Sequence, residues 1–513
     1  MAPPERRRGR QPWRQYPSLT EEAKKHPDIP LWLALLPLLL LIGMLAMSVA
    51  LFHDNSSYGP NQIALMVAAG VAALVGMKLG MRWHDLEGAM VEGITLALRA
   101  CLILLAVGSL IGSWMLAGTA PAVIYFGLGI LDPSWFYPAA LVICALVALS
   151  IGSSWTTAGT IGLALIGIAQ IMDLSLPVTA GAVISGAYFG DKMSPLSDTT
   201  NLSPAMVGAD LFVHIRHMAW TTGPSVVIAL GLFTVMGLNV EGGQAPAGEI
   251  NAARDLLSQN YAIGIPALLP LALLLVLAMR KVPAFPSIAI GALAGCVVAL
   301  IWQPDVVRTF ADPEGQLSAW AASVKGLFMA LADGFTIETG DPALDELLSR
   351  GGMSSMLNTI WLILSAMSFG GVMEHTGLLQ RIVDALMKGV RGTGSLITTT
   401  VLTCIGMNII AADQYIAIVL PGRMYRLEFK KRGLAPQNLS RTLEDAGTMT
   451  SALVPWNTCG AFMAATLGVP TLSYLPYAFL NLLNPVIAIV YGITRFTIVP
   501  LEPEERDVPA RPA

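Results

Sequence analysis

Between Gly186 and Ala205 the chain reads GAYFGDKMSPLSDTTNLSPA. The acids and hydroxyls in that stretch are spaced to hold a small cation. Asp198 follows Ser197 and is itself followed by Thr199, Thr200 and Asn201. A carboxylate among hydroxyl and carbonyl oxygens is a hard donor set that suits Na+, with Asp198 and Thr199 as the leading ligands and Asp198 as a proton acceptor. The competing use of Asp198 is a helix cap. Asp191 and Lys192, adjacent in sequence, read as a structural ion pair or as part of ion coupling. Ser153, Ser154, Thr156 and Thr157 in SSWTT form a second polar cluster, which either completes the site or serves turn chemistry. Asn408 and Asp413 form a third. A lone carboxylate at membrane depth is a functional candidate by default, which ranks Asp413 just behind Asp198. Asn457 and Thr458 follow Pro455 without a neighbouring acid.

These polar clusters interrupt an apolar chain. The 513 residues are 54% hydrophobic and 12% charged, with net charge −4 and mean hydropathy +0.64. Apolar runs long enough to cross a bilayer, about 20 residues each, recur throughout, so the chain is an all-α polytopic membrane protein. The negative balance and the lack of a basic groove argue against a nucleic-acid partner. Membrane lipid is the solvent. The five cysteines stand singly and mostly in apolar runs, so they read as packing residues rather than a zinc site or disulfide framework. No HExxH, GxSxG, P-loop or dinucleotide fingerprint is present, which argues against an enzyme or an ATP-driven pump. YFGD at 188–191 superficially suggests an intramembrane aspartyl protease partnered by Asp413, but a Pro-broken polar stretch directly after the acid speaks against it.

Loop charge orders the spans. Basic loops belong on the cytoplasmic side, and MRWHDLEG (81–88), HIRH (214–217), RKVPAF (280–285), 374–392 and 423–441 are the basic ones. One threading satisfies all of them. It has a polar cytoplasmic N-terminal tail (1–30), two leading helices (31–93), a first unit (94–238), linking helices with an extracytoplasmic loop (239–353), a second unit (354–495) and a cytoplasmic C-terminal tail (496–513). It needs about ten full spans and two segments that enter and leave on one side. Those segments, 134–173 and 393–425, are re-entrant hairpins or paired spans. Each unit runs span, surface segment, hairpin, broken helix (176–212 and 440–468), span, and the two units have opposite orientation. Inverted repeats of this kind are the architecture of many secondary transporters.

The broken helices must hold the site. Leu176 to Phe212 is 37 residues, which as one helix would span about 55 Å against a hydrocarbon core of about 30 Å. Pro195 and Pro204 each remove a backbone donor, so SPLSDTTNLSP is expected to be unwound, with Pro455 in SALVPWNTCGAF as the counterpart of Pro195. Ile-Gly pairs at Gly152 and Gly406 match the two hairpin turns, with 43 and 49 residues to the respective prolines. Unwound backbone at this depth survives only where it is buried in protein or lines a cavity. Glu444 and Asp445, well before Pro455, read as residues of the cytoplasmic entrance or as first-turn acids. His214 and His217 read as a solvated loop, and Arg99 as a snorkelling residue one turn into its span. A single carboxylate that takes either Na+ or H+, at a site open to alternate sides, produces obligatory exchange.

GAYFGDKMSPLSDTTNLSPA, AADQYIAIVLPGRMY, RTLEDAGTMTSALVPWNTCGAFMAATLGV and GDPALDELLSRGGMSSMLNTIWLIL (340–364) resemble the NhaC-type Na+/H+ antiporter family over roughly 30–495. The resemblance implies a carrier of the ion-transporter superfamily in a bacterial plasma membrane. It also implies a homodimer with a scaffold and a moving unit of hairpins plus broken helices. No cofactor is implied beyond the transported Na+ and H+. Similar proteins include exchangers of malate and lactate and carriers of amino acids. A Na+-coupled organic-acid or amino-acid carrier is therefore the alternative, and the amide-rich second broken helix is compatible with it.

Overall fold

The computed structural model describes residues 29–52, 56, 58–239, 247–280 and 282–501. Almost all of the expected N-terminal tail and the end of the C-terminal one lie outside these. Among the described residues the fold is helical, with one isolated bridge between Leu434 and Pro500. Helices α1 (Leu31–Phe52) and α2 (Pro60–Lys78) lead. The first half follows with α3 (Trp83–Leu116), α4 (Thr119–Leu128), α5 (Phe136–Ile151), α6 (Ser154–Thr157), α7 (Leu163–Ile171), α8 (Leu176–Met193), α9 (Asp198–Val207) and α10 (Leu211–Leu238). Linking helices are α11 (Ala247–Asn260), α12 (Leu269–Met279), α13 (Ala284–Trp302), α14 (Pro304–Ala311), α15 (Ala319–Ala332) and α16 (Pro342–Leu348). The second half has α17 (Leu357–His375), α18 (Leu378–Met387), α19 (Thr393–Ile410), α20 (Gln414–Lys431), α21 (Pro436–Leu443), α22 (Met449–Ser451), α23 (Thr458–Leu467), α24 (Thr471–Tyr474) and α25 (Phe479–Thr494). Wider π-helical turns join α6 to α7 (Ala158–Gly162) and α21 to α22 (Glu444–Thr448).

Nine helices among the described residues are long and apolar enough to cross a membrane, and eleven if two pairs bent by 91° each count as one span. Their outer faces carry Leu39, Leu74, Leu146, Val227 and Leu293, all more than half exposed. In water such a belt would drive aggregation, whereas in a bilayer it faces lipid. Inner faces carry small residues, such as Ala68, Ala69, Ala72 and Ala73 on α2, which let helix backbones approach closely. The chain is a polytopic all-α membrane protein, as its composition indicates.

A single register relates the two halves. Gly152 and Ala412, both at left-handed φ, end the first arm of each hairpin segment. Ser153 and Asp413 then cap the second arm from extended backbone. Ser197 and Asn457 cap α9 and α23, each ten residues long, and Gly208 and Gly468 end them at left-handed φ. All four pairs are 260 residues apart. The hairpin match at Gly406 is thus displaced, because α19 continues through Gly406 to Ile410. Gly152 to Pro195 and Ala412 to Pro455 are both 43 residues, so no extra loop length is needed. The second hairpin segment ends at Lys431 rather than at 425.

Other boundaries move for physical reasons. The break after α8 is confined to Ser194–Ser197, because the Ser197 side chain caps a new helix at Asp198 and α9 absorbs Pro204. MRWHDLEG is mostly helix, since α3 starts at Trp83, which places Arg99 mid-helix rather than one turn in. HIRH is not a loop: α10 starts at Leu211, capped by Asp210, and buries His214 and His217.

α8 packs on α5 through glycines. A Cβ at Gly186 would lie 2.3 Å from the Leu141 carbonyl oxygen, and one at Gly190 would lie 2.2 Å from the Leu149 nitrogen. Backbone cannot retreat as a side-chain tip can, so Gly190→Val must separate the helices. Overpacking costs about 1–3 kcal/mol or more. The expected result is a lower apparent melting temperature in detergent and loss of transport. An unchanged melt would contradict this packing.

Candidate functional site

The first break is made by Pro195, which has no N–H and drives Ser194 into extended backbone. Two side chains staple the gap. The Thr200 hydroxyl donates to the carbonyls of Asp191 and Lys192, both at 2.8 Å, satisfying the end of α8. The Asn201 amide donates to the carbonyls of Pro195 (2.9 Å) and Ser197 (2.6 Å). Thr200 and Asn201 thus hold the break together.

Asp191 is the carboxylate on which hydroxyls converge. Ser154 from the hairpin tip donates to its Oδ2, and Ser197 from the break donates to its Oδ1, each at 2.6 Å. Thr199 Oγ1 lies 3.1 Å from Ser197 Oγ. All four side chains are buried. The hairpin tip presses on the break, since a Cβ at Gly152 would meet the Leu196 carbonyl carbon at 2.7 Å. Ser153 accepts from the Thr156 amide and hydroxyl (3.2 and 3.1 Å), and Thr157 donates to the Ser153 carbonyl (2.9 Å), so both shape the tip. Asp198 is the first residue of α9 and is exposed. One residue apart on a helix is about 100°, so Asp191 and Lys192 point different ways and do not pair with each other.

The second half builds a neutral counterpart. Asn408 donates to the Gly447 carbonyl (2.8 Å) and Thr450 hydroxyl (2.9 Å), and Asn457 donates to Asn408 Oδ1 (3.1 Å). The Thr458 amide bonds the Ala412 carbonyl at 3.0 Å. Asp413 caps α20 by accepting from the amides of Tyr415 (2.9 Å) and Ile416 (3.0 Å). Ser451 donates to Gln414 Oε1 at 2.9 Å, repeating the Asp191–Ser154 contact 260 residues on with a hydroxyl in place of the acid and an amide in place of the hydroxyl. Tyr188 OH, 3.3 Å from Ser451 Oγ, and the stack of Trp155 on Phe462 at 4.1 Å tie the halves together.

The Na+/H+ antiporter family model matches residues 186–496, which include Asp191, both breaks and the second hairpin segment. The "Na(+)/H(+) antiporter NhaC" of Alkalihalophilus pseudofirmus is 39% identical over 84% of this chain and 89% of its own. The chain belongs to the Na+/H+ antiporter family. Other relatives carry different substrates in their names. The "Malate-2H(+)/Na(+)-lactate antiporter" of Bacillus subtilis is 37% identical over 85% of this chain and 89% of its own. The "Arginine/ornithine antiporter ArcD" of Halobacterium salinarum is 37% identical over 92% and 93%.

One charged cluster in this family member escaped the sequence reading. Lys192, fully buried, donates to Asp445 and to Asn484. Asp445 also accepts from Thr221 (2.8 Å) and lies 3.9 Å from Arg441 Nε. Glu444 accepts from Ser203 of α9. His214 Nδ1 sits 2.8 Å from Ser440 Oγ. Glu444 and Asp445 are therefore fully buried in the π-helical turn, not first-turn acids at an entrance. The available signal was charge matching: a lysine in an apolar run requires an acid, and RTLED offers two.

Proposed function

We propose that the protein is a secondary active transporter, not an enzyme, that exchanges Na+ for H+ by alternating access. The observation that carries this reading is the buried Asp191 carboxylate, gripped by a hydroxyl from the hairpin tip and another from the break. With Thr199 these groups offer an oxygen set suited to Na+. Because the donors come from two separate elements, a shift of one against the other opens or completes the site. Asp198, exposed at the start of α9, serves as an approach residue. Asn408, Asp413, Asn457 and Thr458 serve as the facing half. The resemblance supports a bacterial plasma membrane and a homodimer, and the distribution of basic loops supports cytoplasmic termini.

A second reading is a carrier that couples Na+ to an organic acid or amino acid. Asn408, Gln414 and Asn457, amides at the inner face of the second half, favour it, as do the names of the malate–lactate and arginine/ornithine relatives. One experiment separates the two. Purified protein in liposomes loaded with a pH-sensitive dye is given NaCl, LiCl and KCl, then malate, lactate and amino acids at constant Na+. Dissipation of an imposed pH gradient by Na+ or Li+ alone is the expected result. A response that waits for an organic solute would assign Na+ a coupling role instead.

A further inference from the structure

We propose that a cavity on the side away from the basic loops binds a small α-amino acid in its zwitterionic form. This site is separate from Asp191 and does not depend on which ion is exchanged. It is built around SRGG (349–352), a motif that the Na+ site does not use. The cavity measures about 320 Å3 and lies between α23 and α7 on one side and α3 with the segment around SRGG on the other. That size suits a small solute. Gly351 and Gly352 adopt left-handed φ, 98° and 83°. A Cβ at Gly351 would lie 2.2 Å from the Gly112 nitrogen, and one at Gly352 would lie 2.3 Å from the Asp333 carbonyl carbon. The Gly352 amide donates to the Gly108 carbonyl (2.7 Å), and the Phe335 amide donates to the Arg350 carbonyl (3.2 Å). The backbone of Arg350 and Asp333 is thereby fixed against α3.

Three polar residues line this cavity without satisfying one another. Arg350 is partly buried. It donates to Gln170 Oε1 at 3.3 Å and forms no ion pair among the described residues. Glu346 acts on it through space but is exposed on α16. A Cβ at Gly468, just past α23, would lie 3.2 Å from Arg350 Nη1. Arg350 nonetheless donates to no α23 carbonyl among the described residues, so it does more than cap that helix. Thr466 is 2% exposed, and its hydroxyl has no hydrogen-bond partner among the described residues. A buried hydroxyl left so costs stability, which a bound acceptor relieves. Asp333 lines the same cavity from the end of α15, and Ile111, Leu163 and Met356 give it an apolar wall. A guanidinium grips a carboxylate through paired N–H donors, and the Thr466 hydroxyl adds another. Asp333 and the carbonyl end of α23, the negative end of its dipole, suit an ammonium. A plain carboxylate or a plain amine uses only one of these charges, and a dicarboxylate sets its second charge against Asp333. Carboxylate, ammonium and a short apolar side chain together make an α-amino acid.

The test is equilibrium binding of radiolabelled alanine to purified full-length protein in detergent. Saturable binding is expected, with propionate and ethylamine, which each lack one charge, competing at least tenfold more weakly than unlabelled alanine. Arg350→Gln is expected to weaken alanine binding at least tenfold. Thr466→Val is expected to weaken it about threefold or more. Asp333→Asn is expected to erase the preference for alanine over propionate. Absence of saturable binding to the wild type overturns the proposal, and so does wild-type affinity in a folded Arg350→Gln. If Arg350→Gln fails to fold, Thr466→Val carries the test: weaker binding supports the proposal and unchanged binding overturns it. Equal competition by alanine and propionate overturns the zwitterion. Binding that survives Arg350→Gln and is lost in Asn457→Ala places the amino acid at the second break and overturns this site. The measurement uses no ion gradient, so none of these failures touches the Na+/H+ reading.

Discussion

Asp191→Asn is expected to abolish Na+-driven proton movement or raise the Na+ concentration needed roughly 100-fold or more. Asp198→Asn is expected to keep exchange within a few-fold of wild type. The asparagine keeps the volume of Asp191 and one acceptor for Ser154 or Ser197, so the site stays filled. What it removes is the negative charge that attracts the cation. Truncating one partner of a buried charged contact costs about 2–5 kcal/mol, and each 1.4 kcal/mol is tenfold. Asp198 is exposed on the first turn of α9, where a charge supports the helix dipole by about 0.3–1 kcal/mol and steers cations in a salt-dependent way. Dye-monitored Na+ titrations in liposomes read both variants. A dead Asp198→Asn beside an active Asp191→Asn would return the ion to the residue that the sequence alone favours.

That contrast shows where sequence reasoning loses its grip. Pro195 and Pro455 were legible because a missing N–H has a local consequence. The break itself was overestimated, because Ser197 restarts a helix at once and the polar run DTTN lies on that helix instead of in a loop. Asp191 and Lys192 looked like a pair because they are adjacent, yet each faces a partner 37 or more residues away: Ser154 for one and Asp445 for the other. Ala412 at left-handed φ could not be foreseen as the match of Gly152, since alanine carries no turn signature. The π-helical turn at Glu444–Thr448 shifts two acids inward with no compositional mark at all. Periodicity and proline placement report on the chain's own backbone. Which side chains meet is decided by how α8, α9, α10 and α21 pack.

The second large effect is expected at Lys192. Lys192→Met strands Asp445 in the interior with Thr221 as its remaining close donor and Arg441 at 3.9 Å. Breaking one side of a buried ion pair costs about 3–5 kcal/mol, whereas replacing both sides with apolar groups is often neutral. Lys192→Met and Asp445→Leu are each expected to lower the apparent melting temperature and the membrane yield. The double variant is expected to regain most of both, a non-additivity that residues in direct contact should show. The double variant also removes one positive and one negative charge together. It therefore leaves the net charge of the buried cluster as it is in the wild type. Exchange is accordingly expected to return with stability in the double variant and to stay impaired in Lys192→Met. Additive destabilisation would mean that the pair does not hold α8 against the second broken helix. A stable double variant without exchange would mean that Lys192 or Asp445 acts on the ion or proton directly, not through charge balance.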